Sequence, residues 1–568
     1  MSSALSRSLS PRSIALIGPV DELASAVSAL RAMGYPWAIR PVAAEGGAVA
    51  GVTSVRSIAE LPGAPDLAYV ALRGAPLREA LQRLAELGAG AAVCPHLDAA
   101  ALAAMGPAPL PVFAGGLLSA VSRLPFWPGV ARTAPVTRGV ALLLADPARL
   151  PRLLSLRHGL PVSCALPLGD PAGPGLLPLA AQMLADERVT ALAVQADRLA
   201  APAQILELGR MAQLHGKAVI YLSQRLRPGP AALLRRAGMA HVAEPAALVE
   251  ALWILHVVGP LPANALAALA FAPGMAARAA EVARTQGLRF APLSPAQQDA
   301  LRRALPEGRA PGNPLDATGL LDGDVEHLAQ VLAEMMAGEA VLSLAVIRNA
   351  GEAGWDRAAE AAAQAREQVG MPLALLAPNR AEMTELRSQA LLKAGVIPLA
   401  GLKPALAALR ATIEIGSLVP VGAPLLMPRP GTDAPEKSRG AAAGAVLGLA
   451  LREAAGEAPP LRLRLSADPT FGYLIELSAP GGRTASGLLP LSPRALRDMA
   501  HRLSSAEPQA AALQAVLAAV QAHVTASDGR IAGLEIGVDL RENGSAEARS
   551  IEIRAWSEDE AARRRSPE

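Results

Sequence analysis

The chain has 568 residues, 52% of them hydrophobic and 18% charged, so it carries ample apolar material for buried cores and is not a largely disordered polymer. Its 53 basic and 50 acidic residues leave a net charge of +3. No dense Lys/Arg stripe with interleaved aromatics runs along it, which argues against nucleic-acid binding.

The chain length implies about three to five domains. The first block carries apolar runs at Ser13–Gly18, Trp37–Arg40, Leu67–Leu72, Ala91–Cys94 and Pro111–Phe113, with helical stretches such as Ala75–Leu87 between them. This alternation predicts a Rossmann-type domain over residues 1–133. A second block, 134–258, carries runs at Val140–Ala145, Val162–Leu166, Ala191–Gln195 and Ala218–Leu222 and ends in a helix over Pro245–His256. A third block, 259–416, follows with Ala265–Phe271, Leu288–Leu293, Leu342–Ile347, Leu373–Leu376 and Val396–Leu399. The second and third share size and cadence and read as two flavodoxin-like units, their continuous Val/Ile/Leu runs marking strands buried on both faces. Residues 417–460 are Pro/Gly-rich at Val419–Gly431 and read as a linker. From Leu461 the pattern turns to period-two alternation, as in Leu461-Arg-Leu-Arg-Leu465, which predicts antiparallel strands in an α+β unit over 461–556. A charged tail, 557–568, closes the chain.

The longest charge-free stretch, Ala251–Ala277, is broken by Gly259, Pro260, Pro262, Asn264, Pro273 and Gly274, so it cannot supply the roughly 20 apolar residues of a membrane span. Two cysteines, Cys94 and Cys164, lie in apolar runs and read as buried structural thiols. With no long apolar leader at the start, the chain is expected in the reducing cytoplasm.

Four local motifs stand in order along this domain sequence. They are Pro11-Arg-Ser-Ile-Ala-Leu-Ile-Gly18, Leu61-Pro-Gly-Ala-Pro-Asp-Leu-Ala-Tyr-Val-Ala-Leu72, Gly312-Asn-Pro-Leu-Asp316 and Asp468-Pro-Thr-Phe-Gly472. Together with the block order they resemble the single-chain NDP-forming acyl-CoA synthetases, relatives of succinyl-CoA synthetase, over most of residues 11–556. The resemblance implies a CoA-binding Rossmann-type domain, two succinyl-CoA-synthetase-like flavodoxin-like domains and a C-terminal ATP-grasp-like domain. It implies CoA or an acyl-CoA thioester as ligand, and a dimer or a separate ATP-grasp chain as partner. In the family a carboxylate, CoA and ATP yield acyl-CoA through an acyl phosphate and a phosphorylated histidine.

The residues needed for that chemistry are incomplete. CoA diphosphate is usually held by a Gly-rich turn opening a helix, where free N–H groups and the helix dipole favour anions. Here the turn is Gly18-Pro-Val-Asp-Glu22, where Pro19 removes a donor and Asp21 and Glu22 bring negative charge. Ligands of open α/β sheets gather at strand carboxyl ends. That rule nominates Gly18, Asp21, Arg40, Leu72, Arg73, Pro95 and His96 as the CoA-facing residues, Arg40 and Arg73 supplying charge at strand ends.

The family's histidine loop, SHTGAxxG, would follow the strand at Ala218–Leu222, but the chain reads Ser223-Gln-Arg-Leu-Arg-Pro-Gly-Pro230 and the loop is missing. His241, nearby, falls in a short strand-like segment. The phosphate loop of that domain reads Leu144-Ala-Asp-Pro-Ala-Arg149, with an acid and a proline where backbone donors are needed. Between Ile415 and Leu461 there is no room for the ATP-grasp small lobe, and Asp433–Ser438 reads as a remnant of it. The metal-ligand segment reads Leu534-Glu-Ile-Gly-Val-Asp539, with Gly537 where the ligating Asn belongs. Glu535, Asp539 and Glu552 carry the charge to bind a hard cation, but exposed carboxylates on alternating strands are the commoner explanation. No catalytic residue and no metal ligand is assigned, and ATP, ADP and Mg2+ lack a complete site. The expectation is a CoA-binding relative unable to transfer phosphoryl groups alone. A working ligase, alone or with a partner ATP-grasp chain, and a regulatory or scaffolding subunit are the alternatives.

Overall fold

A computed structural model describes residues 2–130, 134–417, 422–430, 435–448, 461–480, 482–503, 507–541 and 543–556. The tail 557–568 and Asp433 lie outside the described residues. The chain forms two compact units. One holds three parallel sheets, and the other holds an antiparallel sheet together with two segments from mid-chain, Ala201–Arg210 and Leu226–Gly238.

The first sheet runs Ala38–Val42, Ser13–Ile17, Leu67–Val70, Ala92–Cys94 and Val112–Ala114 in spatial order, all parallel. In chain order that is 2-1-3-4-5, which reverses direction between its first and third strands and opens a crevice at their carboxyl ends. The second sheet repeats this order with Val162–Pro167, Gly139–Leu144, Val189–Gln195, Ala218–Leu222 and Ala240–Val242. His241 thus sits within a strand, paired with Tyr221. The third sheet repeats it again with Leu315–Asp316, Leu266–Ala270, Leu342–Val346, Leu373–Ala377 and Ile397–Ala400. These central strands are buried along almost their whole length, as the unbroken apolar runs require.

Three readings of the sequence are corrected here. Leu117–Ser119 and Leu124–Phe126 form an antiparallel hairpin that extends the second sheet, not the first. Leu288–Leu293 is not a strand: only Phe290 bridges Leu266, and the sheet edge is Leu315–Asp316. The Asn313 side chain explains this. It accepts from the Ala268 N–H (2.9 Å) and donates to Leu266 O (2.9 Å) and Ala291 O (2.8 Å), wedging the neighbouring backbone away from a regular ladder. The presumed linker also carries structure, because Glu436–Arg439 pairs antiparallel with Ala546–Ala555 and Ala441–Leu447 is helical. All four side chains of that strand are exposed, a pattern that suits a charged sheet edge and carries no hydrophobic period.

The second and third sheets share one apolar core, built around helices Pro245–Val257 and Leu402–Ser417. The second unit is a six-stranded antiparallel sheet in the order Glu436–Arg439, Ala546–Ala555, Ile531–Leu540, Leu461–Asp468, Gly472–Ser478 and Thr484–Leu488. Helices Pro493–Leu503 and Glu507–Ala526 cover its apolar face. The Asp468-Pro-Thr-Phe-Gly472 motif is its hairpin turn: the Asp468 carboxylate accepts from the N–H groups of Thr470 (2.8 Å) and Phe471 (2.9 Å). Within this unit the mid-chain helix Pro228–Arg236 lies against the Thr484–Leu488 strand. The Arg236 guanidinium, nearly fully buried, donates to Leu488 O (3.0 Å), Pro490 O (2.6 Å) and Ala423 O (2.7 Å).

Candidate functional site

The first sheet's crevice lies between the ends of Ser13–Ile17 and Leu67–Val70. Its floor is Gly18, at φ +153°, where a Cβ would meet the Ala71 Cβ at 2.8 Å. No side chain fits there, so the turn is pressed against the neighbouring strand end. Pro19 precedes helix Val20–Ala32 in an extended conformation, and no side chain caps that helix. The first-turn N–H groups therefore face the crevice without intrahelical acceptors, an arrangement that favours an anion.

Of the residues nominated from sequence, the fold brings five together at three strand ends: Gly18, Leu72 with Arg73, and Pro95 with His96. The Arg73 guanidinium contacts His96 Nδ1 at 3.0 Å, and His96 Nε2 contacts Glu22 Oε2 at 2.6 Å. Guanidinium nitrogens only donate, so His96 Nδ1 is the acceptor and the ring proton sits on Nε2, donated to the Glu22 carboxylate. The result is a chain of charges and dipoles, Arg73–His96–Glu22, across three elements. Glu22 was seen in the sequence only as unhelpful charge. Its partner lies 74 residues away, which no local pattern reveals. Asp21 is exposed on the same helical turn.

Arg40 is not at a strand end, which corrects the sequence reading. Its strand continues through Pro41 and Val42, paired with Leu16 and Ile17, and its guanidinium reaches only the adjacent Ile39 carbonyl (3.3 Å). It stands exposed beside the crevice rather than in the network. On the other side, Tyr69 stacks on Phe126 of the extending hairpin at 4.8 Å. Burial, with the Glu22 charge second, pushes the Tyr69 phenol up to about 12, so it stays neutral.

The corresponding strand ends of the second sheet carry an ion-pair cluster. Asp146 accepts from the Ala148 N–H (3.1 Å) and pairs with Arg149 (3.2 Å), which also reaches Asp197 (3.3 Å). Gln195, buried, accepts from the Asp146 N–H at 2.9 Å. Two carboxylates thus stand where a phosphate would approach. In the other unit, Glu535 pairs with Arg464, Asp539 with Arg549 and Glu552 with Arg439. Among the described residues no three His, Cys, Asp or Glu side chains converge to hold a metal. Burial pushes both thiols, Cys94 and Cys164, up to about 12, so neither is a nucleophile at neutral pH.

A further polar cluster, with no sequence signal, lies between the second and third sheets. Glu250, fully buried, accepts from Arg380 Nη1 (2.7 Å), from the Ala400 N–H (2.8 Å) and from His158 Nε2 (3.3 Å). His158 Nδ1 contacts buried Ser388 at 3.0 Å and its ring stacks on Trp253. Every member has partners within the cluster, which marks it as an interlock rather than an open site.

No family model matches the sequence, and no curated protein matches it. Solved structures do resemble the fold. PH0766 from Pyrococcus horikoshii OT3 superposes with a TM-score of 0.63 at 18% identity, over 72% of this chain and 98% of that one. The dinucleotide forming acetyl-coenzyme A synthetase 1 of Ca. Korarchaeum cryptofilum gives 0.61 in its apo form, at 13% identity over 72% and 97%. Its complex with phosphate and ADP gives 0.60, at 13% identity over 73% and 97%. The chain therefore has a mixed α/β fold with parallel sheets that matches these acetyl-coenzyme A synthetase structures.

Proposed function

We propose that this chain is a relative of the NDP-forming acyl-CoA synthetases that binds CoA or an acyl-CoA in the first sheet's crevice and does not transfer phosphoryl groups by itself. The observation that carries the reading is the crevice itself. An uncapped helix N-terminus follows the side-chain-free turn at Gly18, and the Arg73 guanidinium is linked through His96 to Glu22 in that helix's first turn, within a fold shared with a synthetase of acetyl-CoA. Backbone N–H groups and an arginine are donors that suit a diphosphate. Against phosphoryl transfer stand three features. The segment after Ala218–Leu222 holds no histidine before helix Pro228–Arg236. At the second sheet's strand ends Asp146 and Asp197 place negative charge, both paired to Arg149. The carboxylates at Glu535, Asp539 and Glu552 are taken by arginines.

Calorimetric titration of the full chain with CoA and acetyl-CoA tests this. Binding in the micromolar range is expected. Failure to bind at millimolar CoA refutes the ligand reading and leaves a scaffold. Formation of a thioester from acetate, CoA and ATP by the purified chain alone refutes the loss of phosphoryl transfer.

A further inference from the structure

We propose that Glu22 is a built-in competitor for the anionic part of that ligand, and that binding works by exchanging the Glu22–His96–Arg73 chain for a ligand–Arg73 pair. The inference rests on the reading of the first crevice as the CoA site. Arg73 is exposed, and its guanidinium is held by a neutral imidazole nitrogen rather than by a carboxylate. A charged oxygen is a stronger acceptor than that nitrogen, so an incoming phosphate takes Arg73 from His96. His96 links the arginine to Glu22, which stands in the first turn of the uncapped helix Val20–Ala32. This carboxylate provides the negative charge that the helix N-terminus and Arg73 favour. A diphosphate entering the same space is repelled until the Glu22 side chain, 38% exposed, turns to solvent. Glu22 therefore sets a threshold: multiply charged ligands that also engage Arg73 displace it, and weakly charged ones do not.

The test uses the full chain, CoA as probe, and the substitution Glu22→Gln, which keeps an oxygen to accept the His96 Nε2–H but removes the charge. Calorimetry is expected to show CoA binding about tenfold tighter in Glu22→Gln than in the unsubstituted protein. Nitrogen NMR of the His96 ring in the unsubstituted protein provides a readout independent of any folding defect. The ring begins with its proton on Nε2 and an accepting Nδ1, and its two nitrogen shifts change as CoA saturates and Arg73 departs. Unchanged or weaker CoA binding in Glu22→Gln, or His96 ring shifts unmoved at CoA saturation, overturns the exchange while leaving the ligand reading standing. CoA binding by neither protein overturns both.

Discussion

The interlock between the second and third sheets makes a sharp stability prediction. Glu250→Ala removes the carboxylate that accepts from Arg380, His158 and the Ala400 N–H. Deleting one member of a buried ion pair costs about 3–5 kcal/mol, chiefly because the partner charge is left behind. The orphaned Ala400 N–H adds about 1–3 kcal/mol. Arg380 recovers part of this, because it is 28% exposed and keeps its bonds to Ala400 O (2.8 Å) and Leu156 O (2.7 Å). The net loss is therefore about 4 kcal/mol. For a unit this large, each kcal/mol moves the melting point by about 2 °C, so a drop of about 8 °C is expected in differential scanning calorimetry. Glu250→Gln costs less than alanine, because its remaining carbonyl oxygen still accepts from Arg380 and His158 while its amide nitrogen confronts only the Ala400 N–H. Glu385→Ala is the control: Glu385 is 56% exposed and 3.7 Å from Arg157, so its loss moves stability by about 0.5 kcal/mol or less. A Glu250→Ala protein melting within about 2 °C of the unsubstituted chain refutes the interlock.

His256 gives a pH prediction. Burial, with the Arg138 charge second, lowers it from 6.5 to about 4, so the folded state holds it neutral while the unfolded chain protonates it first. Stability therefore falls as pH drops from about 6.5 to about 4, by about 3 kcal/mol at the limit, and is undiminished above that window. Denaturation curves of His256→Gln across this range are expected to lose that part of the slope; an unchanged slope refutes the assignment. The cysteines give a chemical prediction. With both thiols buried and raised to about 12, an alkylating reagent at pH 8 leaves Cys94 and Cys164 unmodified in the folded chain and labels both in denaturant. Rapid stoichiometric labelling of the native protein by mass spectrometry contradicts this.

The three parallel sheets were legible because strands buried on both faces leave continuous apolar runs, as at Val140–Leu144 and Leu342–Val346. Elements that owe their structure to a partner's backbone left no such mark. Glu436–Arg439 is wholly polar and becomes a strand only because Ala546–Ala555 offers an edge. Leu288–Leu293 has the composition of a strand, but the Asn313 amide occupies part of the backbone it would have paired with. At the candidate site, the strand-end rule named Arg73 and His96, which the fold brings into contact. It also placed Arg40 at an end, because where a strand stops depends on its neighbour's register, and here pairing with Leu16 and Ile17 carries it two residues further. The bonds that give the site its character, Arg73–His96 and His96–Glu22, span 23 and 74 residues. Glu250 and Arg380 are 130 apart. Contacts at such separations follow from topology, and a single sequence does not encode topology in any local period.

The helix Pro228–Arg236 has a consequence for how this chain can be divided. In sequence it lies between two neighbouring strands of the second sheet, yet it folds with the C-terminal sheet, and Arg236 spends its hydrogen bonds on carbonyls of residues 423, 488 and 490. A single cut after the third sheet would remove those carbonyls and strand a buried guanidinium without acceptors. The same cut would deprive the C-terminal sheet of the helix that covers its Thr484–Leu488 edge. The two units are thus interleaved along one polypeptide, and the C-terminal module is not an appendage that a gene could shed, or lend to a separate subunit, in one step.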